Sequence, residues 1–191
     1  ELDQQVSRVA LGTWAIGGWM WGGTDEGQSV KTIHAALDKG VNLVDTAPVY
    51  GFGTSEQIVG KALAEYGRRN ELVLATKAGI QWDEAKGKVW RNSSPERIRT
   101  EIEDSLRRLK TDYIDIYQIH WPDPVVAFEE TADVMQQLKK EGKIRAVGVS
   151  NYAPQQMDAF RTAGPLSVCQ PPYNVLERHI EAAILPYCLE N

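Results

Sequence analysis

The sequence predicts an α/β fold built on a parallel sheet, namely a (β/α)8 barrel of which this chain supplies about the first six βα units. Short apolar runs alternate strictly with amphipathic helical stretches, and no tight hairpin signal separates consecutive strands, which is the pattern of βαβ units. The ends of the first three predicted strands, Thr13, Asp45 and Lys77, follow one another at equal intervals. A complete barrel takes about 250 residues. We therefore expect residues 1–191 to form a single barrel domain that is incomplete at its C-terminus.

Six apolar runs are predicted as strands. The second is the clearest, because its apolar residues end abruptly in the carboxylate of Asp45, and a proline-stiffened turn then leads to Tyr50. The runs are Arg8–Trp14 with its exit, Val41–Asp45, Glu71–Lys77, Ile114–His120, Ile144–Ser150 and Ser167–Gln170.

Helical periodicity fills the segments between these strands. Ser94 and Pro95 supply a cap and a first-turn proline for a helix in which Ile98, Ile102, Leu106 and Leu109 share one face. A longer polar loop through Asn92 precedes this helix. The other predicted helices are Asp25–Lys39, one capped by Thr54 or Ser55, one from Asp123-Pro124 to Gly142, Pro154–Ala163 and one that begins near Ile180.

An open doubly wound sheet is the alternative architecture. Its first strand-to-helix turn carries a GxGxxG pattern, which brings a pyrophosphate onto a helix N-terminus. The corresponding turn here lacks that pattern, and Gly51-Phe52-Gly53 is only a weak glycine signal that a loop explains without a ligand. The TIM barrel is therefore favoured.

Composition narrows the classes of function. The formal net charge of -5 provides no basic field for a nucleic-acid backbone, so we expect no nucleic-acid partner. The two cysteines, Cys169 and Cys188, have neither a CxxC nor a zinc-finger spacing, and we expect no metal. No long apolar run and no signal-peptide pattern occur, so we expect a cytoplasmic protein without membrane association. Because the chain begins at Glu1, its natural terminus is expected to precede that residue.

Polar side chains end successive predicted strands. Asp45, Lys77 and His120 end the second, third and fourth, and Tyr50 follows the second within a short loop. Taken singly, Lys77 is more often a surface lysine and Asp45 more often a helix or turn cap, whereas His120 is a sheet-edge histidine about half the time. In a barrel, however, the loops at the carboxyl ends of the strands build the site. Their recurrence at one rim predicts a site that contains all four.

These four groups suit the reduction of a carbonyl. A tyrosine hydroxyl is a weak acid at neutral pH unless a nearby cation stabilises its anion, so Lys77 is expected to lower the pKa of Tyr50. Asp45 would hold Lys77 charged and oriented, and His120 would donate a hydrogen bond to a substrate oxygen. Tyr50 would then protonate the oxygen as hydride arrives at the carbon.

Six segments together closely resemble the aldo-keto reductases, and within them the bacterial general-stress branch. The resemblance runs over the whole chain, and its motifs are specific as a set. The segments are Gly12–Trp14, Asp45–Gly51, Ala75–Lys77, Asp112–Pro122, Gly142–Asn151 and Gln170–Asn174.

The resemblance implies particular roles. Asp45, Tyr50, Lys77 and His120 match the family's catalytic tetrad, with Tyr50 as general acid. It also implies an NADP(H) cofactor, a small-molecule carbonyl substrate, and a monomer. The family's seventh and eighth units, which hold the pyrophosphate and 2′-phosphate, are absent here, so a preference for NADP(H) over NAD(H) rests on the resemblance alone. The family's nicotinamide and ribose contacts match Thr13, Trp14, Asp45, Ser150, Asn151 and Gln170.

The six tryptophans all lie in or beside predicted strand-exit loops. We expect Trp14, Trp21, Trp82 and Trp121 to wall an apolar substrate pocket. The alternative is that two or three of them merely cover the barrel mouth.

Two other classes of function remain open. The chain could be a regulatory or binding module that holds cofactor with little turnover, although the intact tetrad argues against it. It could instead be a lyase in which Lys77 forms a Schiff base, which requires a neutral, desolvated amine. The expected Asp45 partner argues against that chemistry.

Overall fold

A computed structural model describes residues 4–83, 85 and 87–191 and contains a six-stranded parallel sheet curled into a half-barrel. Within these residues the six strands of the sheet lie side by side in chain order, so the first and the last of them each pair with one neighbour only. This open arrangement confirms the prediction of six barrel strands. Its strands are β1 Ala10–Gly12, β2 Leu43–Asp45, β3 Val73–Ala78, β6 Ile114–Ile119, β7 Ile144–Ser150 and β8 Val168–Gln170.

Helices pack against the outer face of this sheet, and short 3₁₀ turns lie at Ala15–Gly17, Arg69–Glu71 and His179–Ala182. At the start of the helix Pro95–Leu109, the side chain of Ser94 accepts the N–H of Arg97, and Ile98 and Ile102 of this helix are fully buried, as the sequence predicts. The helices are α1 Glu26–Asp38, α2 Thr54–Tyr66, α3 Pro95–Leu109, α4 Phe128–Lys140, α5 Pro154–Arg161 and α6 Ile184–Glu190.

The prediction that the fourth helix begins at Asp123-Pro124 is wrong, because α4 begins at Phe128. Asp123 instead lies in the loop before α4, where its carboxylate accepts three backbone hydrogen bonds. Its Oδ1 accepts the N–H groups of Val125 and Val126 at 2.8 and 3.2 Å, and its Oδ2 accepts the N–H of Ser93 at 2.7 Å. These bonds close an Asx turn and fix the loop against the start of α3, which delays the helix.

The expectation of a polar loop through Asn92 without a hairpin is also wrong. β4 (Ile80–Asp83) and β5 (Lys88–Arg91) form an antiparallel hairpin outside the barrel sheet. β5 is exposed at every position, so it lacks the half-buried pattern by which a strand is recognised in sequence. The hairpin begins two residues after the end of β3, at the edge of the sheet where the parallel strands end.

The two faces of the sheet bury different residues. Along β3 the side chains alternate: Leu74 packs with the helices, whereas Val73 and Ala75 belong to a small inner cluster with Ile116 and Ala146. Alternation continues to the ends of the strands. It places Asp45, Lys77, Gln118, Ser150 and Gln170 on the inner face.

Gly60 allows α2 to approach α3 closely. A Cβ at Gly60 would lie 2.3 Å from the carbonyl oxygen of Arg108 and 2.7 Å from Cα of Leu109. We expect Gly60→Ala to lower the free energy of unfolding by about 1–3 kcal/mol through overpacking, measured by urea unfolding.

A matched control is Gly27→Ala in α1, where the new Cβ meets only Oδ1 of Asp25 at an ordinary 3.5 Å. Because alanine favours helix more than glycine, this control should be neutral or stabilising by up to about 1 kcal/mol. Equal effects of the two substitutions would contradict the packing argument.

Candidate active site

The predicted tetrad meets at the carboxyl end of the sheet. Asp45 is the last residue of β2, Lys77 is next to last in β3, and His120 follows β6 directly. Tyr50 lies in the turn after β2, where its N–H donates to the carbonyl of Ala47. Parallel pairing of β2 with β3 and of β3 with β6 aligns the three strand ends, so residues far apart in sequence converge here.

Lys77 lies at the centre of the cluster. Its Nζ donates to Oδ1 and Oδ2 of Asp45 at 2.7 and 2.8 Å and to the carbonyl of Thr46 at 3.0 Å. The same Nζ lies 3.4 Å from the hydroxyl of Tyr50. The side chains of Lys77 and Asp45 are 3% and 15% exposed. A shielded ion pair of this kind holds the ammonium in one position beneath the phenol.

Burial raises the pKa of Tyr50 above its ordinary value. The nearby Lys77 acts in the opposite direction, as the sequence predicts, but its effect is smaller than that of burial, and Asp45 adds to the rise. Lys77 thus acts in the predicted direction, but burial decides the direction of the net shift in the Tyr50 pKa. Tyr50 is a neutral phenol at physiological pH, with its proton available for donation.

Burial lowers the pKa of His120 to about 3, and the positive charge of Lys77 acts in the same direction. The imidazole is therefore neutral at physiological pH, with one N–H donor and one acceptor. Its ring lies edge-on to Tyr50 with the centroids 5.8 Å apart. A neutral ring beside the phenol can donate a hydrogen bond to an oxygen without carrying a charge into the site.

The depressed pKa of His120 predicts a loss of stability in acid. Between about pH 3 and 6.5 the unfolded chain binds a proton on this histidine that the folded protein does not, so stability falls as pH falls through that window. The expected slope is about 1.4 kcal/mol per pH unit. We expect urea unfolding at pH 5 and pH 8 to show a larger acid loss for the wild type than for His120→Gln. Identical pH dependence would mean that His120 titrates normally in the folded protein.

The polar residues matched to cofactor contacts form a linked row beside the tetrad. The hydroxyl of Ser150 donates to the carbonyl of Gln170 at 2.8 Å, and Nδ2 of Asn151 donates to the carbonyl of His120 at 2.9 Å and to Oγ of Ser150 at 3.0 Å. Asn151 has a φ of 63°, a left-handed conformation that asparagine tolerates. These bonds hold the row against the ends of β6, β7 and β8.

Thr13 and Trp14 differ in their accessibility. Thr13 is fully buried, and its hydroxyl donates to the carbonyl of Asp45 at 3.0 Å and accepts from Ser55 at 2.8 Å. In this structure it therefore braces the end of β2. Trp14 is 46% exposed and stacks on Tyr50 with a ring-centroid distance of 6.2 Å.

A cleft of about 510 Å³ opens above the tetrad. Trp14 and Trp121 line it as expected, together with Trp19, and Val89 of the hairpin forms part of the opposite wall. The lining residues are Trp14, Trp19, Val49, Tyr50, Lys77, Ile80, Val89, His120, Trp121, Ser150, Asn151, Gln170, Pro171 and Pro172.

Trp21 and Trp82 lie outside this lining. Trp21 packs edge-on against Trp14 with the ring centroids 5.5 Å apart, and Trp82 packs against Phe52 with the ring centroids 5.8 Å apart. Trp21 thus supports a wall rather than forming one. The sequence analysis missed Val89, because β5 is exposed at every position and shows no alternating apolar pattern, and it missed Gln118, which lies on the inner face two residues before His120.

Within the described residues, no group of three or more His, Cys, Asp or Glu side chains is arranged to hold a metal ion. Over the same part of the chain, no helix is long and apolar enough to cross a membrane.

The parallel half-barrel, with aspartate, tyrosine, lysine and histidine grouped at its strand ends, has the features expected from the resemblance to the aldo-keto reductases. The chain belongs to the Aldo/keto reductase family, whose sequence profile matches residues 8–191. The match confirms the resemblance inferred from the motifs.

Relatives support the same assignment. The chain is 57% identical to the aldo-keto reductase YhdN of Bacillus subtilis over 98% of its own length and 56% of that protein. It is 43% identical to an NADH-specific methylglyoxal reductase of Escherichia coli, over 99% of this chain and 62% of that protein. The chain thus spans about three fifths of the length of these relatives, both of which are bacterial.

A solved structure, the glycerol dehydrogenase AKR11B4 of Gluconobacter oxydans, superposes with a TM-score of 0.92 at 59% identity. The match covers 99% of this chain and 58% of that one. The architecture is accordingly that of about six βα units of the aldo-keto reductase TIM barrel, and the doubly wound alternative is excluded.

Proposed function

We propose that the protein is an NAD(P)H-dependent oxidoreductase that reduces an aldehyde or ketone, with Tyr50 as general acid. The observation that carries the proposal is the position of the Lys77 ammonium, 3.4 Å from the Tyr50 hydroxyl and paired with both oxygens of Asp45. A protonated phenol beside a fixed cation can release its proton to a developing alkoxide, because the cation stabilises the phenolate that remains.

The other residues of the cleft have complementary roles. Neutral His120 donates a hydrogen bond that orients the carbonyl oxygen towards Tyr50. Trp14, Trp19 and Trp121 supply apolar walls that exclude water from the reacting carbon. A bound reduced nicotinamide supplies the hydride.

The row of Ser150, Asn151 and Gln170 fits the carboxamide of a nicotinamide. Nδ2 of Asn151 is already bonded, whereas its Oδ1 accepts no hydrogen bond from the described residues, and the exposed amide of Gln170 lies in the same cleft. A carboxamide needs both a donor and an acceptor, and these two side chains offer them. Trp14 lines the same cleft, and Oδ2 of Asp45 lies 3.5 Å from Nε2 of Gln170. The hydroxyl of Thr13 donates to the carbonyl of Asp45 and so holds the end of β2 in place.

We propose NADP(H) as the preferred cofactor on the strength of the family resemblance. NAD(H) is the alternative, favoured by the name of the Escherichia coli relative. We further propose that residues 1–191 belong to a single barrel domain of a cytoplasmic, monomeric protein, and that its substrate is a small carbonyl compound.

The test is turnover by the natural full-length protein. We expect NADPH to be consumed in the presence of 4-nitrobenzaldehyde, with the alcohol formed in equal amount, and NADH to be consumed more slowly at equal concentration. A control without aldehyde should consume neither. Quenching of protein fluorescence by NADPH without its oxidation would favour the binding-module alternative. Trapping of a substrate on Lys77 by borohydride would favour the lyase.

A further inference from the structure

Gln118 is a buried amide that none of the chemistry above uses. The residue is 2% exposed, on the inner face of the sheet in β6, and its Nε2 donates to Oε1 of Gln170 at 3.1 Å. Its own Oε1 has no hydrogen-bond partner among the described residues. A buried oxygen without a partner is unfavourable for folding. Stability alone therefore does not explain a glutamine at this position.

The neighbouring strand is shaped to admit this side chain. Gly148 of β7 pairs with Gln118 across the sheet. A Cβ at Gly148 would lie 2.7 Å from Cγ of Gln118 and 3.3 Å from Cβ of Val168. Glycine in the interior of a strand weakens it, and it often marks a close approach of other groups. Gly148 thus makes room for the Gln118 side chain, although a glycine weakens its own strand.

The direction of the hydrogen bonds is set by Asp45. Nε2 of Gln170 lies 3.5 Å from Oδ2 of Asp45, a carboxylate that pairs with Lys77 and can only accept. The amide nitrogen of Gln170 therefore faces Asp45, and its oxygen faces Gln118. The acceptor Asp45 and the donor Gln118 therefore hold opposite ends of the Gln170 amide, and of the two contacts the one from Gln118 is the shorter, at 3.1 Å.

We propose that Gln118 is a positioning residue that fixes the orientation of the Gln170 amide, and through it the contact with the nicotinamide carboxamide. The inference rests on the proposed function, because Gln170 is a cofactor contact only if the protein binds nicotinamide. Gln118 itself touches neither substrate nor cofactor and acts through Gln170.

The variant Gln118→Met keeps a similar length and removes the donor. In the natural full-length protein we expect an equal or higher thermal midpoint and a dissociation constant for NADPH raised by about tenfold, the equivalent of one net hydrogen bond. The KM for the carbonyl should stay unchanged. The matched control is Gln136→Met, which removes a buried amide whose Nε2 donates to the carbonyl of Pro165 at 2.8 Å, away from the cleft. It should leave cofactor affinity unaltered, and equal affinity in Gln118→Met and wild type would overturn the proposal.

A double-mutant cycle with Gln170→Met separates positioning from a local packing effect. If Gln118 acts through Gln170, Gln118→Met has no further effect on NADPH affinity once Gln170 is methionine. Additive losses would mean that Gln118 works independently and would overturn the inference.

A third measurement does not depend on the cofactor. In cofactor-free protein labelled with ¹⁵N-glutamine, the side-chain amide signals of Gln170 should shift or broaden in Gln118→Met and stay in place in Gln136→Met. If wild type neither binds nor oxidises NADPH, the proposed function fails, yet this spectrum still decides whether Gln118 orients Gln170. Should Gln118→Met not fold, Gln118→Asn keeps the amide but shortens its reach and serves in its place. An unchanged Gln170 signal in the folded variant contradicts the proposal.

Discussion

Replacing Tyr50 with phenylalanine should lower carbonyl reduction by at least about a hundredfold, as expected for the loss of a general acid. The substitution removes only the hydroxyl, which lies 3.4 Å from Nζ of Lys77, and keeps the ring that stacks on Trp14. Cofactor affinity should therefore change little. Steady-state turnover and a fluorescence titration with NADPH measure the two quantities separately.

Tyr117→Phe is the matched control. Tyr117 is fully buried in β6, and its hydroxyl has no partner among the described residues. Its loss should leave turnover unaltered and stability equal or higher. If Tyr50→Phe turned over as fast as Tyr117→Phe, Tyr50 would not be the proton donor.

Lys77→Met should abolish measurable reduction and also destabilise the fold. The substitution leaves the Asp45 carboxylate, whose side chain is 15% exposed, without its cation. Breaking a buried pair by removing one partner typically costs about 3–5 kcal/mol, and the open side of Asp45 places the expected loss at the lower end of that range. Urea unfolding at pH 7 measures it.

Two further variants separate stability from catalysis. Lys61→Met breaks an exposed ion pair with Glu26 and should leave the unfolding midpoint nearly unchanged. The double variant Asp45→Asn/Lys77→Met removes both charges, so it should regain most of the lost stability without regaining activity. A double variant as unstable as Lys77→Met would show that the uncompensated charge is not the cause.

The sequence predicted the barrel strands and α3 well, because their apolar residues follow periods that the sheet and its helices require. It failed where a single side chain competes with the periodic pattern. Asp123 caps its own loop and delays α4. The β4–β5 hairpin carries too little buried surface to leave an apolar pattern, although it supplies Val89 to the cleft.

Site residues could be predicted from the sequence where they lie at the end of a predicted strand. Asp45, Lys77 and His120 lie at strand ends, and parallel pairing brings such ends together. The residues that line the cleft were less predictable, because the sequence shows which loops carry tryptophans but not which of these side chains point into the cleft. Gln118 left no signal at all, since its role depends on a hydrogen bond to a strand that lies far away in sequence.

Transfer of deuterium tests the central claim most directly. The natural full-length protein is incubated with 4-nitrobenzaldehyde and NADPH that carries deuterium at both hydrogen positions of the nicotinamide C4, and the alcohol is analysed by mass spectrometry and NMR. We expect one deuterium on the former carbonyl carbon, and Tyr50→Phe should form the same labelled product at least about a hundredfold more slowly. An alcohol without deuterium, or no alcohol although the cofactor binds, would contradict the assignment of this cleft as a site of carbonyl reduction.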